Sequence, residues 1–150
     1  MKITDISNNV QTLLSNIADP SLVTVLPYPQ DETNNFDGYP SATHFYTGTE
    51  SDYATATQNK TIYKYSVFVY VFTNEDQAGL YTRAYNLMED IVQMFAESID
   101  LSSTVLGLAR ACDFLRPALG EMGTFTTGQG TGIVGEINLF CSADKTYRTF

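Results

Sequence analysis

Residues 125–141 read FTTGQGTGIVGEINLFC, and inside them GTGIVG (130–135) has the G-x-G-x-x-G spacing of a dinucleotide-binding loop. The reading of this stretch decides the fold. In a dinucleotide loop the glycines follow a strand and open a helix, whose N-terminus holds the pyrophosphate. Here the glycines come before an alternating segment in which Ile133, Ile137, Leu139 and Cys141 share one face, the pattern of a strand. Only 15 residues follow Gly135, too few for a crossover helix and a second strand. No Lys-Ser/Thr pair follows the glycines, which excludes a Walker loop. The stretch is therefore read as a glycine-rich loop, in which Gly128, Gly130 and Gly132 permit unusual backbone angles, leading into the last strand.

Outward from this strand the chain reads as α+β. Ile3, Ile6, Val10, Leu13, Leu14 and Ile17 recur at three- and four-residue steps and predict an N-terminal helix, capped by Thr4 or Asp5 and ended by Asp19-Pro20. LVTVLPY (22–28) reads as an edge strand, because Pro27 cannot donate to a ladder. QDETNNFDGYPS (30–41) reads as a loop. Asp31, Thr33 and Asn35 alternate like calcium ligands, but Phe36 stands where such a loop needs Gly and Ala42 where it needs Glu. ATHFYTG comes next as one strand, and SDYATATQN as a second or as a long β-arm. In TIYKYSVFVYVF (61–72), Tyr63, Tyr65, Val67, Val69 and Val71 form one face and Lys64, Ser66, Phe68, Tyr70 and Phe72 the other. The first face suits packed helices; the second suits partial cover, or cover by another chain.

A long helix is expected over about 75–99, with Asn74 as N-cap and a stripe of Tyr81, Ala84, Met88, Ile91, Phe95 and Ile99 flanked by Leu80, Leu87 and Val92. LGLARACDFLRP (106–117) reads as a strand closed by Arg116-Pro117, ALGEMGTFTTGQGTG as a loop, and 143–150 as a mobile tail. The whole predicts one domain over 1–150: a mostly antiparallel sheet of about four to five strands, with both helices on one face, a protruding β-arm and a long Gly-rich loop.

A chain of 150 residues buries roughly 70% of its extended surface, enough for a real core. No apolar run is long enough to span a membrane as a helix, and MKITDISNNVQ lacks the apolar core of a signal peptide, so a soluble protein is expected. Net charge is −9, and the eight basic residues are scattered, which argues against tight nucleic-acid binding. Cys112 and Cys141 fall in apolar stretches and read as buried free thiols; a disulfide is possible only if their backbones lie close. His44 is the only histidine, so any Ser-His-Asp or Cys-His site would have to use it, and a surface or interface position is expected for it instead. One histidine and two distant cysteines make no zinc site. No catalytic, cofactor-binding or metal residue is assigned, and the chain is read as a non-enzyme. An α+β ligand-binding domain or enzyme is the remote alternative, resting on fold generality alone.

Ten tyrosines and nine phenylalanines are the remaining signal. Phe36, Tyr39, Tyr53 and Phe125 fall in the loops and the arm, where a partner surface would spare them contact with water. Taken in order, YPSATHFYTGTESDYATATQNKTIYKYSVFVYVF, TNEDQAGLYTRAYNLMEDIVQMF and LARACDFLRPALGEMGTFTTGQGTGIVGEINLFC resemble the tail terminator (tail completion) proteins of long-tailed phages, over about residues 1–142. The resemblance is one of element order. It implies a structural virion protein without a cofactor, located at the head-proximal end of the tail and in the host cytoplasm during assembly. Such proteins form a ring, a homohexamer, that caps the completed tail tube, ends its polymerisation and docks to the head connector, while DNA passes through the lumen without specific binding. The neck (head–tail stopper) proteins of the same virion share the plan and are the alternative. On this reading the contacts fall in the arm around Tyr53–Ile62, with Lys60, and in the loop around Ala118–Gly132, with Phe125, Gln129 and neighbouring Arg116, together with Phe36 and Tyr39.

Overall fold

The computed structural model describes residues 3–18, 21–29, 36–53, 58–72, 77–127 and 130–146. The elements run α1 (Ile3–Ser15), β1 (Val25–Leu26), β2 (Ser41–Tyr53), β3 (Gln58–Val71), α2 (Gln77–Glu97), β4 (Phe114–Thr127) and β5 (Gly130–Thr146). The five strands form one sheet in the order β1-β2-β3-β5-β4. β1 pairs parallel to β2, and the other three pairings are antiparallel. This is the expected α+β fold, with both helices contributing to one core on one face of the sheet.

The period-2 face assignments hold. Tyr63, Tyr65, Val67, Val69 and Val71 are buried on the helix side of β3, while Lys64, Phe68, Tyr70 and Phe72 are half-buried on the outer side. In β5 the buried set is Ile133, Ile137, Leu139, Cys141 and Ala143. Against this floor α2 lays Leu80, Ala84, Leu87, Met88, Ile91 and Phe95, and α1 lays Ile6, Val10, Leu13 and Leu14. Each large side chain so buried contributes about 1.5–3 kcal/mol of transfer free energy.

Several boundaries differ from the sequence expectation. α1 begins at Ile3, so Thr4 and Asp5 lie inside its first turn and do not cap it. It ends at Ser15, where the Asn16 and Ile17 amides reach back to the Leu13 and Leu14 carbonyls, ahead of Asp19 and Pro20, which lie outside the described residues. α2 ends at Glu97, which leaves Ile99 54% exposed beyond the buried stripe; Tyr81 is only half-buried, and Asn74 lies outside the described residues. β2 is one continuous strand with a bulge between Tyr46 and Gly48.

The largest correction concerns the C-terminal third. The described residues of the expected loop ALGEMGTFTTGQGTG are paired strand: β4 runs on past Pro117 to Thr127 and pairs with β5 down to Thr127↔Gly130, while Gly128 and Gln129 lie outside the described residues. Pro117 is tolerated because β4 is the edge strand and needs ladder bonds on one side only. The strand expected over 106–117 begins only at Phe114, the start of β4; from Ser98 to Asp113 the chain is irregular, with one isolated bridge between Ser103 and Leu108. Residues 143–146 are strand rather than tail, because they pair with Gln58–Thr61 and make the arm three-stranded.

Candidate functional site

Each glycine of GTGIVG has a local cause. Gly130 has φ +143°, a backbone angle that side chains disfavour, at the hairpin end. A Cβ on Gly132 would sit 2.5 Å from the Phe125 ring and 2.6 Å from the Val71 carbonyl, so glycine lets that ring lie across the strand. A Cβ on Gly135 would meet Met88 at 2.6 Å, where α2 presses onto β5. The motif serves packing within the sheet on both of its faces.

Phe125 leads to the main surface feature. The outer face of the sheet carries a connected aromatic cluster near the start of β5. Phe36 lies 5.0 Å from Tyr70 and 5.9 Å from Tyr39, ring centre to ring centre. Tyr39 lies 5.8 Å from Phe72 and 5.5 Å from Phe125, and Phe125 meets Tyr70 edge-on at 5.2 Å. Phe45 stacks on Phe68 at 5.5 Å beside them. These rings are half-buried, and burial raises the Tyr39 and Tyr70 hydroxyls above the usual tyrosine range. The structure thus brings Phe36, Tyr39 and Phe125 together, and their first cover is each other.

Arg116 is exposed on the same face, its guanidinium 4.4 Å over the Phe140 ring. Tyr53 and Lys60 are cross-strand neighbours in the arm, where Tyr53 pairs with Asn59 and Lys60 with Asp52; their side chains lie outside the described residues, as does Gln129 altogether. Nearby, Lys64 bridges Glu50 at 2.5 Å on the outer face.

Two backbone edges accompany this face. β1 pairs with β2 only at Ala42 and Thr43, so among the described residues Phe45–Tyr53 have a partner on one side only. Among the described residues β4 has a strand partner on one side only, and its outer edge carries one backbone bond, from the Leu115 amide to the Ile99 carbonyl at 2.5 Å. Its flank is apolar: Phe114 is 52% and Leu119 56% exposed, and Leu119 joins Tyr85, Met88 and Met122 around a notch of about 140 Å³ against α2.

His44 is not at the surface. It points from β2 to the helix side and is fully buried, opposite Val67. The Gln11 amide donates to the Val25 carbonyl at 3.0 Å, which turns its oxygen towards His44 Nε2 at 2.5 Å. Nε2–H therefore donates to Gln11, and Nδ1 accepts from the Tyr65 hydroxyl at 2.6 Å. Both ring nitrogens are engaged within the protein, and burial lowers the His44 pKa to about 4. The residue ties α1, β2 and β3 together. Sequence reasoning missed this network, because nothing in ATHFYTG signals that a glutamine 33 positions earlier supplies the partner.

Among the described residues no group of three His, Cys, Asp or Glu side chains is placed to hold a metal ion, and no helix is long and apolar enough to cross a membrane. The arrangement defines an α+β domain whose distinctive surface is aromatic sheet face and strand edge. No protein-family model matches the sequence, and no curated protein matches it.

Proposed function

We propose that this chain is a structural assembly protein of a phage tail, a tail terminator that forms a ring on the end of the tail tube. The observation that carries the reading is the pair of non-identical strand edges on one sheet, the lower part of β2 and β4 beyond Leu115. A closed ring needs a heterologous interface, with a different patch on each side of the subunit. Long unpaired edges are otherwise an aggregation hazard that proteins cover. The half-buried aromatic face between those edges supports the same reading, since aromatic residues are enriched in interface cores. The internal bonds on both nitrogens of His44 favour a structural over a catalytic role for it.

The test is native mass spectrometry and electron microscopy of the purified protein, alone and mixed with tail tubes. Rings that cap tube ends are expected. A strict monomer that never caps tubes refutes the proposal. Labelling in intact particles separates the terminator from a neck stopper: signal at the tube end supports the first, and signal on the connector face replaces it with the second.

A further inference from the structure

The two cysteines, 29 positions apart in sequence, meet in space. Cys112 and Cys141 are 3% and 0% exposed, and each thiol acts on the ionisation of the other. The backbone fixes this meeting from both sides. Leu115 is the ladder partner of Cys141, and the Asp113 amide donates to the Ser142 carbonyl at 2.9 Å. Cys112 is therefore one residue from a direct bond to the neighbour of Cys141. The Arg110 side chain holds the Cys112 carbonyl at 3.0 Å and pairs with Asp113.

The two thiols are not equivalent. Cys141 belongs to a central stretch of β5, hydrogen-bonded on both sides by β3 and β4. Cys112 sits on the irregular segment 98–113, held by the Asn9 amide through the Leu101 and Ala109 carbonyls and by the Asp100 carbonyl through the Ala111 and Cys112 amides. That segment has few ladder bonds and opens locally at lower cost than the sheet. The hydrogen bond from Cys141 favours the Cys112 thiolate, whereas that neighbour and burial push Cys141 up. Both side chains pack in the core, and the proposed assembly makes no use of their thiol chemistry.

We propose that Cys112 and Cys141 are a redox modification site that closes to an intramolecular disulfide by exchange with a small-molecule disulfide such as oxidised glutathione. The Cys112 thiolate attacks one sulfur of the reagent, forms a mixed disulfide and releases one glutathione thiolate. Cys141, losing its proton to solvent, then attacks the Cys112 sulfur and releases the second. Two protein thiols are oxidised and one reagent disulfide is reduced to two thiols, so atoms and electrons balance. The bond ties segment 98–113 to the sheet and closes a loop of about 30 residues.

The experiment is incubation of the folded protein with oxidised glutathione at neutral pH, an acid quench, intact mass and peptide mapping. Expected are the loss of two hydrogens, a cross-linked peptide joining residues 112 and 141, and a rise in Tm on the order of 10 °C reversed by reductant. Cys141→Ser is expected to stop at the glutathione adduct on Cys112, and Cys112→Ser to leave Cys141 reduced. Should either variant fail to fold, the wild-type mass and map decide alone. Persistence of both free thiols, a stable glutathione adduct on the wild type, or chains cross-linked to one another overturns the proposal. None of these readouts depends on tail assembly.

Discussion

The buried histidine gives a prediction whose size comes from its surroundings. Protonating His44 puts a charge into a site without an acidic partner among the described residues: Nε2–H already donates to Gln11, and Nδ1 faces a hydroxyl that must reverse its bond. The pKa falls from 6.5 to about 4 because burial disfavours the charged ring. The unfolded chain, with the ordinary value, therefore binds a proton that the folded chain refuses between those limits. Stability is fully present above pH 6.5, declines as pH falls towards 4 with a slope approaching about 1.4 kcal/mol per unit, and is not reduced further by this group below that. The integrated loss is roughly 3 kcal/mol, a large share of the stability of a domain this size. Because His44 is the only histidine, its imidazole proton resonances are single and unambiguous. An NMR titration of the folded protein should show no change from pH 7.5 to 5.5, and urea melts over the same range should show stability decreasing. His44→Gln should remove the part of that slope between pH 6.5 and 5, above the carboxylate range. An imidazole that titrates near 6.5 in the folded state would refute the burial argument and the hydrogen-bond assignment with it.

Packing sets three other expectations. Val69→Asp, at a fully buried site facing the helices, should abolish cooperative folding by circular dichroism, because a lone buried charge costs several kcal/mol. Asn9→Ala leaves the Leu101 and Ala109 carbonyls without their donor and should lower stability by about 1–3 kcal/mol in chemical denaturation. It should also raise amide exchange in segment 98–113, and unchanged exchange would show that the asparagine does not hold it. Gly132→Ala drives a methyl against the Val71 carbonyl, which cannot yield as the Phe125 ring can, and should cost about 1–3 kcal/mol and alter the near-ultraviolet spectrum of the aromatic cluster.

The sequence alone determined the faces of β3, β5 and the two helices, which depend on a local period. The alternation in TIYKYSVFVYVF placed five side chains on the buried face, and the three- and four-residue steps of both helices identified the middle of their inner stripes, with Ile3 and Ile99 at the ends exposed, because burial on one side of a regular element imposes that element's own repeat. It also settled that GTGIVG does not open a helix, since residues 133–141 alternate with the period of a strand. Tertiary structure decided what depends on partners far along the chain. Whether 118–132 is loop or ladder turned on β5 offering bonds to β4, and glycine and threonine composition signals turns without recording such an offer. Gly132 is explained only once Phe125 lies over it, and Gly135 only once Met88 arrives from α2. His44 looked like a surface residue until Gln11 and Tyr65 closed on both its nitrogens. The cysteines were two separate apolar positions until the bend at Asp113 brought one against the other. Periodicity is written in neighbouring residues; hydrogen-bond partners and close contacts across the sheet exist only after the chain has returned to itself.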